Sequence, residues 1–190
     1  MVVNRGTIAA NKGCVIMFVR SCLAIAAALM FSTAAFAQSG PKLTDPQIAH
    51  IAYTAGVIDI DAAKQALQKT KNRQVKEFAD DMVRDHEAVN NQALALVKKL
   101  NVTPEDNDTS RALTKQANEK LAELKKLSGA AYDKAYIANE VAFHKTVNDA
   151  LKTTLIPSAT NAELKSLLQT GLKIFEGHQQ HAEQVAAALK

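Results

Sequence analysis

Apolar residues recur along most of the chain at alternating steps of three and four, which is the spacing of helix faces turned toward a shared interior. The clearest run lies within 74–100. There Val75, Ala79, Met82, His86, Val89, Ala93, Leu96 and Leu100 form one face, and only His86 is polar. Near the C-terminus Leu164, Leu168, Gly171, Phe175, His178, Ala182, Val185 and Leu189 repeat the pattern. His178 is the polar exception there, and His181 lies one turn on, beside the same face.

Two further long segments show weaker stripes. In 44–70 the stripe is Ile48, Ile51, Ala55, Ile58 and Ala62, with Asp59 beside it and His50 off it, toward the surface. Thr44, Pro46 and Gln47 predict the helix start, with a cap, a first-turn proline and a capping box. In 130–155 the stripe is Tyr132, Tyr136, Phe143, Val147 and Leu151, with His144 beside it. Pro157 is expected to end that helix, and Thr160 with Glu163 predicts a capping box for the last one. Asn72 marks a short turn after the first helix. The polar stretch 101–109, with Pro104, begins a crossover that carries an extra, thinly apolar helix over 110–127. Four matched helices of roughly 40 Å, short first and last links and a long middle crossover predict an all-α, ferritin-like four-helix bundle.

Composition narrows the picture once the first 37 residues are set aside. Arg20, the apolar run 22–31 and Ala35-Phe36-Ala37 read as a signal peptide, started from Met17 and cut near Ala37-Gln38. The expected product is periplasmic or secreted, with a short lead-in over 38–43 and one bundle domain over 44–190. Both cysteines, Cys14 and Cys22, leave with the leader, so neither disulfide nor thiolate chemistry is expected. Arg5, Lys12 and Arg20 leave too, which brings the net charge of +4 down to about +1. No basic cluster interleaves with aromatics, so nucleic acid is not an expected partner. No apolar run in the remainder is long enough for a transmembrane helix, and no strand-length alternation suggests a barrel. An envelope protein or a second copy of the chain remains as a partner.

The candidate chemistry is the set of histidines. His86, His144 and His178 come from three helices, each near mid-length, and Asp59 could join them from the fourth. His181 is the alternate to His178. Imidazoles with a carboxylate in a bundle interior suit a transition metal, namely zinc, copper or iron. Asp85, Glu140 and Glu183 are the carboxylates placed to orient the rings. No Glu-x-x-His follows the helices, so the usual di-iron chemistry is not expected, and no catalytic residue is assigned. The alternative is a structural or stress-related envelope protein that binds no metal and satisfies its histidines within the core.

Several runs carry a resemblance. They are Ala55-Gly56 leading to Asp59, Phe78-Ala79 through Met82-Val83 to Asp85-His86, and Leu127-Ser128-Gly129-Ala130-Ala131-Tyr132-Asp133 through Tyr136. His144 and a histidine near the C-terminus complete the set. In these the chain resembles, over about 44–189, the bacterial family catalogued as domain of unknown function 4142, whose members are exported and often labelled outer membrane proteins. The resemblance implies a ferritin-like bundle in the cell envelope and no assigned activity. The family usually has Glu where this chain has Asp59.

Overall fold

The structure, a computed structural model, describes residues 42–189. The expected signal peptide, its cleavage point and most of the lead-in lie outside the described residues. Within them there are five helices and no strand. α1 spans Asp45–Lys69, α2 Arg73–Lys99, α3 Asp108–Lys125, α4 Gly129–Ala150 and α5 Ala162–Ala188. α4 runs on through a π-turn, Leu151–Leu155, into a last short piece, Ile156–Ser158. No described helix is long and apolar enough to cross a membrane.

Local chemistry accounts for most of the boundaries. Thr44 and Gln47 form the reciprocal capping box at the start of α1, at 3.4 and 3.2 Å. Asn72 caps α2 by accepting from Gln74 and Val75 at 2.9 and 3.3 Å. α2 ends where Asn101 turns left-handed at φ 51°. Asn107 and Ser110 make a second capping box for α3.

Two expectations need correction. Pro157 does not end the third long helix, because helical backbone continues to Ser158. A proline has no N–H to give and crowds the carbonyl four residues back. The wider π-turn just before it absorbs that conflict, with Ile156 N–H bonding to the Leu151 carbonyl, five residues back. The capping box at Thr160 does not form either. Asn161 caps α5, accepting from Glu163 and Leu164 at 2.9 and 3.0 Å. Thr160 is instead held by Asp45 at the start of α1. Asp45 accepts from the Thr160 and Asn161 backbone N–H groups at 2.8 and 2.9 Å, and from the Thr160 hydroxyl.

α1 packs along α2 and α4 along α5, while α3 lies on α1. His50, expected at the surface, is half-buried beside α3 and shares a depression with Ser110 and Arg111. The apolar core has two parts. One gathers Ala63, Ala66, Phe78, Met82, Tyr132, Tyr136 and Ala182. The other gathers Ile48, Ile51, Leu113, Leu151, Leu155, Leu164 and Leu168. Along α1, α4 and α5 the two parts occupy opposite ends. The residues between them are Asp59 on α1, Glu140 and His144 on α4, and His178 on α5, all buried. His86 follows Met82 on α2 by one turn and is buried with them. A polar layer therefore crosses the bundle at mid-length.

Candidate metal centre

Three imidazoles meet in that layer. Ring centroids lie 5.7 Å apart for His86 and His144, 5.2 Å for His86 and His178, and 5.5 Å for His144 and His178. Each ring offers one nitrogen such that the three atoms lie within 4.8 Å of one another. A second group, Asp59, Glu140 and His144, meets the same limit and shares His144 with the first. A common ion sits about 2.0–2.1 Å from imidazole nitrogens, so the rings draw in slightly from the upper end of that spacing when they share one. Either group could hold a transition-metal ion.

The second nitrogen of each ring points to an oxygen. His144 Nδ1 lies 3.0 Å from the Glu140 backbone carbonyl, one turn back on α4. An N–H there donates to that oxygen, which leaves the lone pair on Nε2. His178 Nε2 lies 3.0 Å from Asp85 Oδ2. His86 Nε2 lies 3.4 Å from Asp59 Oδ2, too poorly aligned to make a hydrogen bond. What remains is His144 Nε2, His178 Nδ1 and both nitrogens of His86, all buried and all without a partner among the described residues. Asp59 Oδ1 and Glu140 Oε2 are buried and unpartnered as well.

Burial sets the electrostatics. It lowers His86 well below the ordinary imidazole value, and the neighbouring His144 and His178 push it the same way. Burial brings His144 down to about 4, with His178 adding to the effect. His178 is lowered by burial against the pull of Asp85. All three rings are neutral at pH 7, the state in which imidazole binds metals. Asp59 is raised well above the usual carboxylate range by burial and then by Glu140, and Glu140 is pushed up to about 7 by burial. The close approaches of Asp59 to His86 and Glu140 to His144 are therefore not ion pairs, because the imidazole of each is neutral.

Of the sequence-predicted residues, His86, His144 and His178 come together, and Asp59 is beside His86. His181 is in neither group; it sits edge-on to Phe78 at 5.3 Å, with Nδ1 3.7 Å from Asp81 Oδ2. Asp85 and Glu140 do contact the rings. Glu183 does not: it accepts from Gln179 at the exposed surface. Glu140, expected only to orient a ring, is itself a member of the second group. Its signal is Glu140-x-x-x-His144, an acid one turn before a histidine and therefore on the same helix face. Phe175 adds a contact that spacing alone does not reveal, stacking on the His86 ring at 4.6 Å and 10°.

The chain matches, over residues 31–185, the family described as "Domain of unknown function (DUF4142)". It belongs to that family. No curated protein matches this DUF4142 chain. Among solved structures it is similar to "CopM in the Cu(II)-bound form", with a TM-score of 0.60 and 14% identity. The alignment covers 79% of this chain and 100% of that one. At that identity the similarity shows a shared helical fold.

Proposed function

We propose that this DUF4142 protein binds one transition-metal ion in the middle of a ferritin-like bundle, through His86, His144 and His178, after export to the periplasm. The observation that carries this is that each of the three rings keeps at least one buried, unpartnered nitrogen, while the rings offer nitrogens within 4.8 Å of one another. A core histidine that serves packing alone has its polar atoms satisfied, because an unpaired buried polar group costs about 1–3 kcal/mol. Such costs, met in three rings whose offered nitrogens lie within 4.8 Å of one another, are offset when an ion takes the lone pairs.

The surroundings fit that role. Asp85 and the Glu140 carbonyl hold the outer nitrogens of His178 and His144, the arrangement that orients metal-bound imidazoles. Asp59 and Glu140 lie alongside as carboxyls that would give up their protons beside a bound cation, either as a further ligand or as a neutralising neighbour. A bound ion would supply a Lewis acid or, for copper and iron, a one-electron carrier. Without Glu-x-x-His, a di-iron oxidase is not the reading proposed; storage, buffering or electron transfer is. The Cu(II)-bound state of the structurally similar CopM makes copper a metal to try alongside zinc and iron.

The test is metal content by elemental mass spectrometry, followed by titration with zinc, copper and iron. One equivalent is expected, lost in His86→Ala and kept in His50→Ala, whose histidine belongs to neither group. No uptake of any of the three metals would overturn the proposal. It would leave the other reading, a structural or stress-related envelope protein without metal.

A further inference from the structure

An apolar cavity of about 50 Å³ runs from the Leu164–Leu168 end of the bundle to the polar layer. Its walls are mostly aliphatic, with Tyr53, Asn90, His86 and the carboxyl of Asp59 as the polar side chains among them. The π-turn contributes Leu151 and Leu155 to one wall. At the inner end stand Asp59, His86 and Phe175. Asp59 and His86 are each 2% exposed, and Asp59 Oδ1 and both His86 ring nitrogens have no hydrogen-bond partner. Phe175 lies flat on the His86 ring, and a Cβ on Gly171 would meet that phenyl ring at 3.3 Å. Glycine at 171 thus leaves the ring room to lie there.

We propose that this cavity admits small, uncharged, apolar molecules of about the size of dioxygen and brings them to the His86 face of the centre. The binding step stands on the cavity alone, while a chemical purpose for it rests on the metal reading above. Away from its inner end the cavity is walled mostly by aliphatic side chains; such a space offers water too few polar partners, stays dry and takes up apolar gases. The volume holds only a few water-sized spheres and falls far short of pockets that enclose drug-sized ligands. A hydrated ion is excluded from the same path by the cost of losing its water against aliphatic walls. The ion instead meets the centre from the side of Asp85, whose side chain is 28% exposed and lies 3.0 Å from His178. The centre is thus approached by a polar route for the ion and an apolar one for its small neutral ligand.

The experiment uses xenon and protein with no added metal. Crystals under xenon pressure are expected to show a xenon atom in the cavity beside Ala55. In solution, xenon should shift the His86 and Phe175 ring resonances. Ala93→Leu and Ala52→Leu each fill part of the wall from a half-buried position, and each should weaken xenon binding tenfold or more while metal stoichiometry stays unchanged. Xenon absent from the cavity, or His86 resonances that do not move, would overturn the proposal. So would displacement of xenon by palmitate, which would make the cavity an acyl-chain site. Xenon binding is read on metal-free protein, so its failure and the failure of the metal reading are distinguishable.

Discussion

At the scale of single residues, His86 trades stability for binding. Its ring is buried, stacked on Phe175 and without a hydrogen bond. Replacing it with an apolar side chain of similar volume removes an unsatisfied polar group. His86→Leu is therefore expected to raise the stability of the metal-free protein by about 1–3 kcal/mol while abolishing metal uptake. Urea unfolding of the two metal-free proteins checks it; a loss of stability would mean that the ring is a structural group. The same burial makes stability depend on pH. His144, held to about 4, stays neutral in the folded chain while the unfolded chain takes up a proton below its ordinary 6.5. Acidification across that window favours unfolding by at most about 1.4 kcal/mol per pH unit per group. His86 and His178 act in the same direction. Glu140 acts in the opposite one: between its ordinary 4.5 and its folded value of about 7, only the folded chain holds the proton. Asp59 joins it. Between about pH 6.5 and 4.5 Glu140 therefore offsets the loss of stability that His144 brings. Glu140→Gln removes one opposing group, so its melting temperature should fall more steeply than that of the parent over this range. A parallel or shallower fall would sink the assignment.

At the scale of elements, the contact between α1 and α2 turns on Gly56. A Cβ there would meet Asn90 Oδ1 at 2.4 Å and its Cγ at 2.9 Å. Asn90 is buried and its amide donates to the Tyr53 carbonyl at 3.5 Å, so it has little freedom to retreat. Gly56→Ala is expected to cost about 1–3 kcal/mol through overpacking. In an Asn90→Ala background the same change should become neutral or gain up to about 1 kcal/mol, since alanine is the better helix former. A denaturation double-mutant cycle reads the coupling directly. Helix starts were legible from the sequence at Thr44 and Asn72, where the cap is a local event among neighbours in the chain. They were misread at Thr160 because its partner is Asp45, on another helix. Pro157 was misread for a related reason: the π-turn that accommodates it has no marker in the residue order.

At the scale of the whole molecule, the centre joins α2, α4 and α5, with α1 beside it. A ligand that binds only the folded state stabilises that state by mass action, by about 2.7 kcal/mol at a hundredfold excess over Kd. Metal at that excess should raise the melting temperature by roughly 5–10 °C for a domain of this size. The rise should vanish on adding chelator and should be absent in His86→Ala. A melting temperature indifferent to zinc, copper and iron would count against the site. Bound metal should also flatten the acid-side fall, because it holds the imidazoles without their protons until the pH is low enough to displace it.

The residue order alone determined the helices, their faces and the fact that each of three faces carries a histidine at mid-length. These follow from spacing along one chain, where period and burial are coupled. It also narrowed the C-terminal choice to His178 or His181, neighbours on one turn that spacing cannot separate. Only the tertiary structure placed His178 inward and His181 against Phe78, since that depends on how α5 is rotated against α2. It alone showed that Asp59 and Glu140 face each other, that each ring has at least one nitrogen left without a partner, and that an apolar cavity ends at His86. Such facts belong to distances between helices, which no periodicity along a single helix encodes.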